Sequence, residues 1–488
     1  MVVLLLDGLL SAQIAGRTGS VRFGIFRVPS AARPPEQLRI GKPEFFSENG
    51  GTAGLNDSEA ALDTETPAWI AARRRHSNLL WGIISQELSW AGVGHDLHFH
   101  DRQGRLVAGE PAAFFPRVII RADDPWLPLR ILMNPSLAIG EGYMDGRLVL
   151  EAGRLVDLLE LGIHATRQRS GGLAAPLAEW FGAVMRPANT IRRAARNACH
   201  HYDIRPEFYR LFLDRRMQYS CAYFPTGKEG LDTAQALKIA HIAAKLALKP
   251  ELSLLDIGCG WGSLAIELAE KAGVRCTGLT LASEQLAEAR RQADRSPAGS
   301  RLAFHLADYR QWSGQYDRIV SVGMLEHVGK AGLRRFFRQL ARLLKPGGVA
   351  LVHAIGCWDG RSGHNAWIDR YIFPGGYIPA LSEVIEAVER SGLKLFDTEI
   401  LRLHYAFTLA HWSARFQAQR DTAKAMLGER FCRMWEFYLA ACEAGFRTGE
   451  LMVFQVLIGH DRTVLPLTRD FITADERIWR DRMLRDVP

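Results

Sequence analysis

A chain of 488 residues, 48% hydrophobic and 23% charged, has the length for two or three domains with substantial cores and the ordinary balance of a globular protein. Its net charge of +8, from 61 basic against 53 acidic residues, favours an anionic partner, nucleic acid or lipid headgroups, without choosing between them. Seven scattered cysteines with no C-x-x-C pair argue against a disulfide framework or a structural zinc site and for a reducing cytoplasm, and no stretch reaches the roughly 20 apolar residues of a membrane-spanning helix.

In chain order, residues 1–75 read as a poorly ordered or accessory leader, with Pro29, Pro34, Pro35 and a Gly/Asn/Ser-rich run from Ser47 to Ser58. The apolar start Met1–Leu6 is interrupted by Asp7 and preceded by no basic residue, so secretion is not expected. Residues 76–168 carry short strand patterns, Asp96–His100 and Arg117–Arg121, and an apolar helical stretch from Leu155 to Ile163. This is the pattern of a small α+β domain. Residues 169–200 read as a linker, rich in Gly, Ala and Pro at first and basic from Thr190 to Arg196. Arginine clusters there, at Arg73–Arg75, Arg334/Arg335/Arg338 and Arg477/Arg480/Arg482/Arg485, read equally well as solvated helix faces.

Residues 201–488 form the third unit. Strands are predicted at Leu252–Ile257, Arg275–Leu279, Leu302–Leu306, Arg318–Val322 and Val349–Ile355, and helices at Ser263–Ala272, Ser283–Ala293 and Gly332–Leu344. The last helix places Leu333, Phe336, Phe337, Leu340, Leu343 and Leu344 on one apolar stripe. Strand–helix alternation of this kind predicts a doubly wound, Rossmann-like parallel sheet.

The most informative segment is Leu254-Leu-Asp-Ile-Gly-Cys-Gly-Trp-Gly262, an apolar strand running into a glycine-rich turn with a helix opening behind it. Glycines there let the backbone pass close beneath a ligand at the carboxyl end of the first strand. A dinucleotide site also begins G-x-G, but Gly262 falls one residue early for that fingerprint, and no Gly-Lys-Ser/Thr follows to make a triphosphate loop. Asp256 suits a cationic amino-acid ligand better than a pyrophosphate. The pattern resembles motif I of the class I S-adenosylmethionine methyltransferases, which implies cofactor contacts from Asp256, Gly258, Cys259, Gly260 and Gly262. Asp308 and Tyr309 then fall where the adenine is usually held, with a plain turn as the alternative reading of Asp308. Where most such enzymes carry an acidic residue after the second strand, this chain has Thr280-Leu-Ala-Ser-Glu-Gln285.

That departure is a signature elsewhere. The chain resembles the cyclopropane-fatty-acyl-phospholipid synthase and mycolic acid cyclopropane synthase family, in order over about 190–460. The matching segments are His201–Asp203, Phe208–Tyr209, Met217–Tyr223, Leu254–Gly262, Thr280–Gln285, Val320–Gly329, His353–Gly356, Trp367–Gly375, His404–Leu409 and Cys442–Arg447. Gly140–Gly146 extends a weaker match into the amino-terminal domain. Ile204-Arg-Pro-Glu207 and Phe407 depart from the family's usual Leu-Gly-Asn-Asp and arginine.

The resemblance implies methylene transfer from S-adenosylmethionine to the cis double bond of unsaturated phospholipid acyl chains, by an enzyme peripheral to the inner face of the membrane. It implies further cofactor contacts from Tyr219, Ser220, Thr280, Ser283 and Gln285. It also implies a bound bicarbonate as base, held by Cys221, Glu326, His353, the Ile355 backbone and Tyr405. Cys442 lies in a motif once read as carrying a nucleophile, but methyl transfer to an alkene requires no covalent intermediate. Tyr219, Tyr223, Tyr371, Phe373 and Tyr405 could face a cation or simply wall a lipid pocket. Competing readings are a family member leaving a methyl branch or methylene group, a small-amine methyltransferase, a lipid-binding protein with a vestigial nucleoside site, and a nucleic-acid methyltransferase. The last is suggested by charge alone and lacks the Asn/Asp-Pro-Pro-Tyr/Phe signature, so no nucleic-acid partner is expected. A homodimer is left open.

Overall fold

The computed structural model describes residues 68–111, 114–169, 205–358 and 365–485; most of the expected leader, the linker and the His201–Asp203 motif lie outside them. The first described element is helix α1 (Ala68–Trp90), which starts inside the stretch read as leader. Strands β1 (Leu97–His100), β2 (Leu106–Ala108) and β3 (Val118–Ala122) follow, then α2 (Leu127–Met133), α3 (Pro135–Met144), β4 (Leu148–Ala152) and α4 (Leu155–Arg169). The strands form one sheet in the order β2-β1-β3-β4. α3 starts on a proline behind Asn134, whose side chain accepts the Leu137 amide, so both the cap and the first-turn residue favour the helix start.

The second sheet begins after α5 (Pro206–Arg210) and α6 (Leu231–Lys245). Its elements are β5 (Ser253–Ile257), α7 (Ser263–Ala272), β6 (Arg275–Thr280), α8 (Ser283–Arg295), β7 (Leu302–Leu306), β8 (Tyr316–Val322), α9 (Leu333–Leu343) and β9 (Leu344–Cys357). Beyond them lie α10 (Ala366–Tyr371), α11 (Leu381–Glu389), β10 (Lys394–Ile400), α12 (His404–Ala418), α13 (Arg420–Leu427), α14 (Glu429–Arg447), β11 (Leu451–Gly459) and α15 (Asp470–Leu484). The strand order is β10-β11-β9-β8-β5-β6-β7. β9, β8, β5, β6 and β7 are parallel, whereas β11 runs antiparallel to both β9 and β10. The predicted parallel strands and the helices between them are all present within a few residues of their expected limits. The antiparallel strand was not foreseen, because Leu451–Gly459 is apolar apart from Gln455 and does not alternate.

From β5 the chain winds outward through β6 and β7, then returns to β8 on the other side of β5. The strand order therefore reverses between β5 and β8, and a crevice opens there above the carboxyl ends of the strands. Helix α6 packs beneath this region with no exposed face, and carries a stripe of polar side chains, Gln235, Lys238, His241 and Lys245, all buried. His241 Nε2 lies 2.7 Å from Glu399 Oε2 and its Nδ1 lies 3.3 Å from Glu476 Oε2, while Lys245 pairs with Glu399. Burial alone would lower the pKa of His241, but the two carboxylates raise it overall. This ion network ties α6 to β10 and α15.

The small sheet's layer docks on the larger one through α3 and α4, which pack against α14. Gly140 sets the approach. A Cβ there would lie 2.3 Å from Cδ1 of the fully buried Trp367, whose indole N–H in turn points at Met144 Sδ. Tyr371 Oη donates to Glu141 and Tyr143 Oη to Glu436 across the same junction. Gly140→Ala is expected to overpack the Trp367 contact at a cost of about 1–3 kcal/mol. Thermal unfolding reads this as a lowered Tm, and an unchanged Tm would mean that α3 can slide without loss.

Candidate active site

The crevice at the strand reversal is lined by the ends of four parallel strands. β5 delivers Asp256 and then the turn Gly258–Gly260, β6 delivers Thr280, β7 delivers Asp308 and Tyr309, and β8 leads to Met324 and His327. The turn needs glycine for two reasons. Gly258 and Gly262 both take left-handed backbone conformations, at φ +88° and +85°. A Cβ would meet Met324 Cγ at 2.9 Å in the first case and Phe304 Cζ at 2.8 Å in the second. Gly262 thus packs the helix start against β7 and α8 without lining the crevice, whereas Gly260 faces open space within it. Ser283 opens α8 and is likewise not a lining residue.

Of the residues expected at the nucleoside, Tyr219, Ser220, Asp256, Gly258, Cys259, Gly260, Thr280, Gln285, Asp308 and Tyr309 all border this one cavity. Thr280 Oγ1 donates to Gln285 Oε1 at 2.9 Å and accepts the Ala282 amide. That fixes the Gln285 side chain over the carboxyl end of β6. Asp308 accepts from the Arg310 amide at 2.9 Å and from its guanidinium Nε at 2.8 Å, so it is both a turn-capping residue and a wall of the cavity.

Asp256 is buried, its Oδ2 has no hydrogen-bond partner, and burial raises its pKa to about 7 against the pull of Lys238. A buried carboxylate oxygen without a partner is costly unless a ligand supplies the positive charge. The glycine cradle, the orphaned carboxylate and the Thr280–Gln285 lock together fit the sulfonium and amino-acid end of S-adenosylmethionine. Lys238 was not anticipated. It lines the cavity, donates to Ser220 Oγ at 2.8 Å, and burial lowers its pKa to about 8. Its polar spacing with Gln235 and His241 along an apolar helix was the available signal.

A second cluster gathers around Glu326, which lies between the cavity-lining residues Met324 and His327. Glu326 sits in the short turn after β8, and its Oε1 accepts the Ile355 amide at 2.6 Å from β9. Its Oε2 is buried without a partner, and burial raises its pKa to about 7. Burial also raises Tyr405 well above the usual phenol range, and Tyr438, Cys221, Cys442 and Glu326 are all close enough to push it further. The sequence-predicted residues Cys221, Glu326, Ile355, Tyr405 and Cys442 therefore converge.

His353 stands two residues before Ile355 on the same face of β9. The Gln455 amide nitrogen lies 3.1 Å from its Nδ1; as a donor, it leaves the proton of the neutral ring on Nε2. Burial and nearby cations lower the His353 pKa well below the ordinary value. Both thiols are held protonated by burial, Cys442 at about 12 and Cys221 higher, so neither is poised as a nucleophile. Tyr438, unnoticed in the sequence, is bonded to Tyr219 through their hydroxyls at 2.8 Å.

The sequence profile of the mycolic acid cyclopropane synthetase family matches residues 189–456. A probable fatty acid methyltransferase of Pseudomonas putida is 36% identical over 369 residues, spanning 73% of this chain and 91% of its own. The cyclopropane-fatty-acyl-phospholipid synthase of Escherichia coli strain K12 is 34% identical over 345 residues, or 69% and 87% of the two chains. The crystal structure of mycolic acid cyclopropane synthase CmaA1 complexed with SAH and CTAB superposes with a TM-score of 0.52 at 35% identity, covering 54% of this chain and 97% of that one. With these matches added to the sheet order and the cavity at its reversal point, the chain belongs to the mycolic acid cyclopropane synthetase family and is an S-adenosylmethionine-dependent methyltransferase.

Proposed function

We propose that the protein transfers a methylene group from S-adenosylmethionine to the cis double bond of unsaturated phospholipid acyl chains, forming cyclopropane fatty acids. The observation that carries this reading is the buried, half-unpartnered Glu326 carboxylate beside Tyr405. Transfer to an amine can end once the methyl group has moved. Addition to an alkene leaves a carbocation that must lose a proton, so a proton-handling group is needed near the sulfonium cavity.

The alkene π pair attacks the methyl carbon, and the C–S pair leaves with sulfur as the neutral thioether. The positive charge passes to the other alkene carbon; loss of a proton from the added methyl then closes the ring with the C–H pair. Asp256 would oppose the sulfonium before transfer. Tyr219, stacked on Trp412 at 5.0 Å, and Tyr405, 4.9 Å from the Phe446 ring, supply aromatic walls around the cation. Such faces contribute about 2 kcal/mol when desolvated.

Bicarbonate, when bound, would supply the base, and the residues here fit an anion walled by apolar groups. Glu326 Oε2 would accept its proton's hydrogen bond, while His353 through Nε2 and Tyr405 through its hydroxyl would donate. The Ile355 amide is engaged by Glu326 and reaches an anion only if that bond opens.

Incubation with S-adenosylmethionine and unsaturated phospholipid vesicles is expected to add one CH2 per converted chain, with loss of alkene signals and new upfield ring protons. One added CH2 with a methyl branch or a persisting alkene would move the assignment to the product class suggested by the name of the Pseudomonas putida relative. No addition, with S-adenosylmethionine still bound, would sink the lipid reading. Glu326→Gln is expected to lower kcat by about 10²–10⁴ while S-adenosylmethionine affinity stays within about threefold. Equal losses in both would reassign Glu326 to cofactor binding.

Asp256 gives a pH prediction. Its carboxylate must be charged to hold a cation, so S-adenosylmethionine affinity should fall as pH drops below about 7, approaching tenfold per unit. Calorimetric titration of Asp256→Asn should show weak binding without that slope; a slope surviving in the variant would place the titration elsewhere.

No helix among the described residues is long and apolar enough to cross a membrane. We propose that the protein meets lipid at the inner membrane surface through its amino-terminal domain. The arginines of that domain are largely ion-paired, Arg117 with Asp157 and Glu160, and Arg130 and Arg147 with Asp124. Apolar contact is the stronger candidate: Trp90, Phe114 and Phe115 are 78%, 87% and 78% exposed. Co-sedimentation with vesicles should fall several-fold when Trp90, Phe114 and Phe115 are replaced together by serine. Unchanged lipid binding would overturn this placement.

A further inference from the structure

One segment, Tyr219–Phe224, contributes to both the cofactor cavity and the Glu326 cluster. Tyr219 and Ser220 border the cavity, while Cys221 belongs to the cluster. On one side α6 holds the segment: the Tyr223 amide donates to Ala234 O at 3.0 Å, and Gln235 Nε2 donates to Ser220 O at 3.0 Å. On the other side the alternate amides are received by the first two turns of α12, through two side chains one turn apart. The Ala222 amide donates to Thr408 Oγ1 at 3.0 Å, and the Phe224 amide donates to His404 Nδ1 at 2.8 Å.

Residues four apart on a helix share a face, and amides two apart on an extended chain share a side, so His404 and Thr408 match the spacing of Ala222 and Phe224. Thr408 Oγ1 donates back to His404 O at 2.8 Å, which fixes its lone pairs toward the segment. The His404 ring is further held by stacking. It lies 4.9 Å from the Tyr223 ring at 2° between planes, and Tyr223 lies 4.3 Å from the ion-paired His241 at 11°. The residue after His404 is Tyr405, so the same turn that anchors the Cys221 wall also carries the opposing phenol.

We propose that His404 and Thr408 are positioning residues that set the separation of the Cys221 and Tyr405 walls, and thereby decide whether the alkylated acyl chain loses its proton to close the ring. The proposal rests on the cyclopropane reading above. Burial lowers the His404 pKa, which keeps Nδ1 free to accept the amide. A shift of the segment leaves both cavities present but misaligned, and misalignment near the reacting atoms is expensive in rate.

The experiment compares three variants of the full chain with the wild type. His404→Phe retains a ring to stack on Tyr223 but no acceptor; His404→Asn retains an acceptor near Nδ1 without the ring; Thr408→Val is isosteric but accepts nothing. Each is assayed for kcat, KM for S-adenosylmethionine, the fraction of alkylated lipid that carries a ring, and hydrogen exchange of the 219–224 amides. His404→Phe and Thr408→Val should lower kcat about tenfold or more, shift KM less than about threefold, raise the uncyclised fraction, and speed exchange at Ala222 and Phe224. His404→Asn should restore at least half of the ring fraction. Unchanged product partition in His404→Phe and Thr408→Val, or equal loss in His404→Asn and His404→Phe, would overturn the positioning role. A wild type that alkylates no lipid overturns the cyclopropane reading on which the role rests, and unchanged amide exchange overturns the anchoring independently.

Discussion

Everything at the site hangs on a helix that has no water to face. Helix α6 is buried on all sides, yet presents Gln235, Lys238, His241 and Lys245 along one stripe. In an apolar interior each such group must find a partner or be strongly destabilising, by several kcal/mol for a charge. Each partner it finds fixes another element. Gln235 and Lys238 hold Ser220 and so the wall of the cofactor cavity. His241 and Lys245 hold Glu399 on β10, and His241 reaches Glu476 on α15. Replacing the stripe with leucine would remove the cost and also part of the specification, because α6 would then hold the Tyr219–Phe224 segment only through the Ala234 carbonyl.

Beside that network stand two carboxylates, each with one oxygen bare of partners. Asp256 and Glu326 each have an oxygen buried without a partner, and each has its pKa raised to about 7. A rise of this size corresponds to roughly 3–4 kcal/mol disfavouring the charged form. Asp157 and Asp317, bonded to arginine, lysine or serine, are held at about 2 instead. Asp256 lines the cofactor cavity, and Glu326 belongs to the cluster around Tyr405.

The parallel core was legible from the sequence because its signals are local. Strand β5 running into Gly258–Gly262, the single apolar stripe of α9 and the helix stop at Lys345-Pro-Gly-Gly348 each fit within a dozen residues. The converging site was legible only through family resemblance, since Cys221, Glu326, Tyr405 and Cys442 come from four separate elements and no spacing joins them. What stayed hidden is non-local. The direction of β11 depends on what lies between it and β10, and Leu451–Gly459 reads as a buried strand in either direction. Lys238 and Tyr438 looked like ordinary helix residues because their importance lies in what packs against them. His404 carries no sign of its acceptor role, which needs the Phe224 amide from 180 residues away.

The same fold also occurs in coclaurine N-methyltransferase, at 19% identity and a TM-score of 0.54. A fold that cradles a methyl donor says little about the acceptor. The acceptor side is built here by α12, α13 and α14, a helical layer inserted between β10 and β11. Its two ends are drawn together where the Leu401 amide donates to Val453 O at 2.8 Å, so the layer is anchored like a hairpin on the sheet edge. From it come Tyr405, Trp412, Tyr438, Cys442 and Phe446, which with Phe208, Phe212 and Trp367 make a dense aromatic cluster. Such a roof is poor for a polar amine and good for an acyl chain, because it offers large apolar faces and almost no free acceptors. On the lipid reading proposed above, it would also keep water from the carbocation, which would otherwise be captured as an alcohol before the proton could leave. The antiparallel strand pair is thus more than an edge: it fixes the aromatic layer of α12–α14 on the sheet.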